Sequence, residues 1–265
     1  MKIYIPSNGK VGIYSVDLRM PTIGDLRKSS QFSSISEIKK TQFVKLLAEQ
    51  PEAIDRITIK DRDYLFVIAV CALSMNIVRY TVKCPDDSSA IKVDLSLDAI
   101  EPVFLDTDVS LTKNILGREY NFKLLTVQDE YDCIDYANRG ESEDYDDRLE
   151  DAYVCAGLGW EVNDSNIERV RELDMSVYYA SQFFQLCCPH GMVLTKDVIC
   201  PKCGKQIVSV LDITGDMLKV NMALIMERFS GIAGKIDFQS FNDMTLPEYN
   251  ALIDALNVKA SHGRR

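Results

Sequence analysis

The sequence predicts an α+β protein, a helical domain with short antiparallel hairpins and an inserted zinc-ribbon-like module. Three observations lead there. Apolar residues recur at helical spacing in several segments, most of them opened by a Thr or Ser with a carboxylate three residues on. Between these segments lie short alternating runs, such as 12–20 and 77–83, that read as strands. The third is the pair Cys187-Cys188-Pro189-His190-Gly191 and Cys200-Pro201-Lys202-Cys203-Gly204, which holds four of the eight cysteines and one of the two histidines.

Two facing turns of the form Cys-x-x-(Cys/His)-Gly make a tetrahedral four-ligand cage, the geometry zinc prefers. Cys187 and His190 are expected from the first turn, Cys200 and Cys203 from the second. Cys188 is the alternative to Cys187; Cys187 is preferred because it puts His190-Gly191 in register with Cys203-Gly204. Each turn ends in glycine, which accepts the positive-φ bend that aims backbone amides at thiolates. Met192 to Ile199 reads as a hairpin with Thr195 to Asp197 near its tip. The remaining cysteines are scattered in apolar surroundings and no secretory signal precedes them, so the spacing favours metal over disulfides. Four protein ligands leave no open position, which makes the zinc structural, with a contribution to folding on the order of 10 kcal/mol.

A chain of 265 residues suffices for a substantial core. Its hydrophobic share of 46% and charged share of 26% are those of a soluble globular protein. The net charge of -10 argues against nucleic acid, which calls for a basic footprint. The opening Met1 to Pro6 has no apolar signal core, and the longest apolar run, Tyr64 to Met75, is too short to span a bilayer. The expectation is a soluble protein of a reducing cytoplasm that binds neither membrane nor nucleic acid.

Four regions follow: 1–100, an N-terminal α+β domain; 101–186, a second strand-helix unit with an acidic helix; 187–212, the zinc ribbon; and 213–265, a C-terminal helical region with a basic tail. In the first, residues 12–20 form a strand, Thr22 with Asp25 starts a helix, and a second helix runs from Ser36 to Glu49. Thr58 with Asp61 starts a third, apolar nearly all round to Met75 and therefore central and buried. Ile77 to Lys83 and Ile91 to Leu95 form a hairpin across Asp86 to Ser89. Cys84 reads as a small strand-end residue, since no second ligand lies nearby in sequence.

In the second region Tyr120 to Leu125 is a strand, and Thr126 with Asp129 restarts a helix, an echo of Thr22 with Asp25. Residues 141–151 carry seven carboxylates. They lack the glycine-turned spacing of a calcium loop and read as a solvated helix start. Asp164 or Ser165 opens another helix, and Val177 to Leu186 runs into the cysteines, its aromatics packing as core. Gln206 to Leu211 completes the ribbon. Asp216 to Ser230 is an amphipathic helix, and Thr245 with Glu248 caps a last one through Leu256.

No phosphate-cradling loop, nucleophile elbow or zinc-protease motif is present. His190 is assigned to the metal, His262 lies in the tail, and no carboxylates form a distinctive pair. No enzyme and no small-molecule substrate is expected.

The N-terminal third carries a resemblance. Ile5-Pro6-Ser7-Asn8-Gly9, Tyr14, and Val16 to Thr22 with Asp25-Leu26 resemble the opening of baseplate hub proteins of T-even-type contractile-tailed bacteriophages. Those openings read as a Leu-Pro-Ser-x-Gly turn, a Tyr-containing strand and an Arg-Pro-Leu-Thr-like segment before a helix. Thr58 to Arg62 with Tyr64-Leu65, and Tyr80 to Pro85, resemble the family's Asp-Arg-x-Tyr-Leu helix and the strand ending in Cys-Pro that follows it. Where the family often continues Cys-Pro-x-Cys, this chain has Cys84-Pro85-Asp86-Asp87, and the Cys187 to Cys203 site is expected to take over that structural role.

The resemblance covers residues 1 to about 100 and the remainder in outline. It implies a non-enzymatic component of the tail baseplate hub, in the virion and in the host cytoplasm during assembly. Its partners would be other hub proteins and the tape-measure protein, with several copies around the tail axis. Contacts are expected from apolar stripes on 216–230 and 246–256. Two other readings stand beside it: a tail-assembly chaperone absent from the mature virion, and a zinc-ribbon regulatory adaptor with a basic face drawn from Lys196, Lys202 and Lys205.

Overall fold

The computed structural model describes residues 1–73, 77–140, 144–218, 237–245 and 247–253. It is an α+β protein in which, among the described residues, every sheet is a two-stranded antiparallel pair. β1 (Lys2–Tyr4) pairs with β2 (Ser15–Asp17), Ile3 facing Val16. The chain between them turns at Asn8 and Gly9, both at positive φ (51° and 81°), and the Tyr14 ring fills the space a Gly9 side chain would need.

α1 (Ile23–Ser29) opens on the expected Thr22/Asp25 capping box. Arg19 adds a two-pronged ion pair to Asp25, at 2.6 and 2.8 Å. α2 (Ser36–Leu47) and a 3₁₀ turn (Pro51–Arg56) follow. α3 (Ile59–Leu73) is buried on almost every side, as its sequence predicts. Thr58 and Asp61 cap it reciprocally, and Asp61 also accepts from the Ser7 amide at 2.7 Å, tying the first turn to the central helix.

β3 (Ile77–Lys83) and β4 (Ala90–Ser96) form the expected hairpin, Lys83 opposite Ala90. β5 (Glu101–Val103) follows, then β6 (Thr112–Ile115) and β7 (Arg118–Asn121), which pair across Leu116-Gly117. The strand expected over 120–125 thus ends at Asn121. The segment after it is held by single bonds, such as Lys123 N–H to Gly157 O at 2.8 Å.

α4 (Val127–Asn138) begins on the Thr126/Asp129 box, and α5 (Tyr145–Gly157) on the acidic run. α6 (Asp164–Arg171) is capped by Asn163, one residue before the expected start. α7 (Met175–Cys187) extends one residue beyond Leu186.

Two cores result. The first gathers β1, β2, α2 and α3 with Leu95, Ile100, Leu211 and Leu218. The second lies within α4 to α7, around Cys133, Cys155, Ile167 and Val177, with Phe122 stacked on Phe184 at 5.1 Å. The caps of α3 and α4 meet between them: Thr58 and Thr126 form a β-bridge through Ile59 N–H to Leu125 O and Val127 N–H to Ile57 O, both 3.0 Å. Beside it the buried Arg62 guanidinium pairs with Glu130. Burial pushes Glu130 up despite that partner, whereas the charges of Asp63 and Glu130 outweigh desolvation and push Arg62 up.

The region after α7 differs from expectation. β8 (Gly191–Val193) pairs with β5, ninety residues back, so Met192 to Ile199 is not a hairpin. The ribbon is β9 (Thr195–Ile199) with β10 (Gln206–Val210), Ile199 opposite Gln206, so Cys200 to Cys203 lie in its turn and Thr195 to Asp197 at its base.

Beyond β10, residues Gly215–Leu218 form a 3₁₀ turn, and the rest of the expected 216–230 helix lies outside the described residues. α8 (Phe238–Asp243) packs beside α1, with Arg27 on Asn242 at 2.7 Å. Thr245 and Glu248 form the predicted capping box, and 247–253 is helical with Tyr249 buried. Leu246 and 254–265 lie outside the described residues. Among the described residues no helix is long and apolar enough to cross a membrane.

Candidate metal centre

The β3–β4 and β9–β10 hairpins end in turns of one design. In the first, Cys84 N–H donates to Ser89 O at 2.9 Å and Ser88 N–H to Cys84 O at 2.9 Å. In the second, Cys200 N–H donates to Lys205 O at 2.8 Å and Gly204 N–H to Cys200 O at 2.9 Å. Ser88 and Gly204, each four residues after the first cysteine, both take positive φ, 57° and 76°. Aligned on these bonds, Cys84-Pro85-Asp86-Asp87-Ser88-Ser89 matches Cys200-Pro201-Lys202-Cys203-Gly204-Lys205 position for position, with Asp87 standing where the second turn has Cys203.

The two tips face one another. Cys84, Asp87, Cys200 and Cys203 bring one ligand atom each to within 4.8 Å of all the others, a group that can hold a metal ion. Cys84 Sγ lies 3.6 Å from Cys203 Sγ, and Cys200 Sγ lies 3.6 Å from Asp87 Oδ2. A tetrahedral zinc with ordinary bond lengths requires S···S of about 3.8 Å and S···O of about 3.5 Å, so these two donor pairs already stand close to the separations such an ion needs.

Polar neighbours adjust these donors. The Ser89 hydroxyl, 3.3 Å from Cys200 Sγ, and then the Cys203 and Lys202 amides hold the Cys200 thiol down to about 7. The Lys205 amide favours the Cys203 thiolate, but desolvation and the sulfurs of Cys200 and Cys84 outweigh it and push this thiol up to about 11. Bonds from Ser89 hold Asp87 down to about 2, ionised at neutral pH and ready to ligate. Cys84 and Cys200 are each 1% exposed and sit on Ile91, with Val82 and Ile207 at the edge; Cys203 is at the surface.

The expected ligand set is brought together only in part. Cys200 and Cys203 are in the group, and Cys187 and His190 are not. Cys187 is the last residue of α7 and exposed. Cys188 caps that helix, donating its N–H to Phe184 O, and packs with Leu105 and Leu124. His190 turns to the start of α3, its Nε2 3.3 Å from Thr58 Oγ1. Desolvation and the nearby Lys60 push its pKa down to about 4. Gly191 does take positive φ, 122°, but there it opens β8 against Lys60.

The physical reason is that α7 carries its helical hydrogen bonds through Cys187, and β8 is then held by β5. The first motif is a helix end tied to the core, not a free turn. Cys84 and Asp87 are the residues that sequence reasoning missed. Their signal was present as the repeated Cys-Pro-x-x-(Ser/Gly) turn between alternating strands.

Compared with protein-family models, curated proteins and solved structures, the chain matches none.

Proposed function

We propose that this chain is a non-enzymatic structural component of a bacteriophage tail baseplate hub, held together by a structural zinc ion. The observation that carries the zinc reading is the convergence of two like turns, Cys84 and Cys203 being 119 positions apart, on one four-donor group. Three thiolates and a carboxylate form a soft, tetrahedral donor set suited to zinc. With four protein donors no position is left for substrate, which favours a staple over a catalyst.

The assembly role rests on the N-terminal resemblance and is supported by apolar side chains left at the surface. Met175, Tyr179, Phe183 and Leu186 form an exposed line along α7, and Ile199, Val208 and Val210 stand out from the ribbon. Such surfaces suit contact with other hub proteins or the tape-measure protein. The regulatory-adaptor reading is less favoured, because two of its three lysines are engaged: Lys205 pairs with Asp86 at 2.6 Å and Lys196 bonds the Asp94 carbonyl.

Mass spectrometry of purified infectious particles tests the role. A few copies per particle are expected of a hub subunit. Abundance in infected cells with absence from particles would instead identify an assembly chaperone, and absence of any associated phage would overturn the family reading.

A further inference from the structure

The metal group also contains the elements of a covalent clasp. Cys84 Sγ and Cys203 Sγ, from opposite hairpins, lie 3.6 Å apart, within a side-chain adjustment of bonding distance. Cys200 Sγ also interacts with the Cys203 sulfur, but it is held in addition by the Ser89 hydroxyl at 3.3 Å and the Asp87 carboxylate at 3.6 Å. Access is unequal: Cys203 is exposed, whereas Cys84 and Cys200 are buried, so a small oxidant meets Cys203 first. The remaining contacts between the hairpins are few: Tyr80 Oη to Ser209 Oγ at 2.9 Å, Lys205 to Asp86, Lys196 to the Asp94 carbonyl, and a small apolar cluster. Without the ion, these contacts and those among the donors themselves are what the described residues offer to hold the tips together.

We propose that hydrogen peroxide converts this metal clasp into a Cys84–Cys203 disulfide, releasing the ion while keeping the two hairpins joined. The inference rests on the zinc reading for its metal half and on sulfur geometry for its covalent half. The Cys203 sulfur attacks one peroxide oxygen, any thiol proton passing to solvent, forming a sulfenic acid and expelling hydroxide. The Cys84 thiolate then attacks the Cys203 sulfur, the S–S bond forms and a second hydroxide leaves. Two sulfurs lose one electron each, peroxide takes both, and the two hydroxides take protons from solvent to become water. The ion, left with Cys200 and Asp87, dissociates. A thiol reductant with zinc restores the starting state.

The test treats the full chain with peroxide in two forms, as purified and after chelator treatment. Released zinc is followed with a metallochromic dye, and disulfides are located by non-reducing peptide mapping. The expected result is one zinc released per zinc bound and a cross-linked peptide pair containing Cys84 and Cys203, formed in both samples and again in Cys200→Ser. A Cys200–Cys203 disulfide in the parent chain would overturn the proposal, as would a Cys203 sulfinate with no cross-link. If the purified protein contains no zinc, the metal reading fails alone, because the chelator-treated sample still decides whether the Cys84–Cys203 bond forms.

Discussion

His190 is 8% exposed beside Lys60, and it is the residue whose sequence role and structural role differ most. Its pKa in the folded chain is about 4, below the ordinary 6.5, so the unfolded chain binds this proton first. Stability from the neutral ring is therefore complete above about pH 6.5 and lost as pH falls towards about 4, by up to about 1.4 kcal/mol per unit. Urea unfolding between pH 7 and 4.5 should show a shallower loss in His190→Gln than in the parent. Equal slopes would mean that the ring is solvated. Acid release of a metal affects both proteins and cancels in the comparison. The buried thiols of Cys71, Cys133 and Cys155, each pushed up by desolvation, fill apolar space and are not ligands.

At the scale of elements, the hairpin tips carry the argument. Because Asp87 occupies the position of Cys203 in the matching turn, Asp87→Cys should still bind one ion. Its cobalt derivative should gain thiolate charge-transfer intensity over the parent. Loss of binding in that variant would show that Asp87 is not a ligand position. Much of this level was legible in the sequence. The capping boxes at Thr22, Thr58, Thr126 and Thr245 appear as read, because a cap is decided by residues three apart. The β3–β4 hairpin was legible for the same local reason. The partner of β8 was not, since β5 lies far away in sequence and only the packed core brings them together. Cys84 was set aside for want of a neighbouring ligand, although its partners arrive from another hairpin. The turn signal at Cys84 is local, but the pairing of the two turns is not.

At the scale of the molecule, the two cores are joined through α3 and α4 by the buried Arg62–Glu130 pair and the Thr58–Thr126 bridge. Glu130→Gln leaves Arg62 buried with only the half-buried Asp63 as a charge partner. It should cost about 3 kcal/mol, read as a lower urea midpoint. A change under about 0.5 kcal/mol would mean that water already reaches the pair. The four-donor group lies apart from both large cores, at the end of hairpins whose bases remain fixed by Leu95 and Leu211. Removing it should loosen the tips while most of the helical circular-dichroism signal persists. Collapse of that signal on chelation would place the ion at the centre of folding.

The ligand set itself is tested most directly by zinc content, measured by inductively coupled plasma mass spectrometry on the parent, Cys84→Ser and Cys187→Ser. One zinc per chain in the parent, lost in Cys84→Ser and kept in Cys187→Ser, is the predicted result. Retention in Cys84→Ser with loss in Cys187→Ser, or no zinc in the parent, would contradict it.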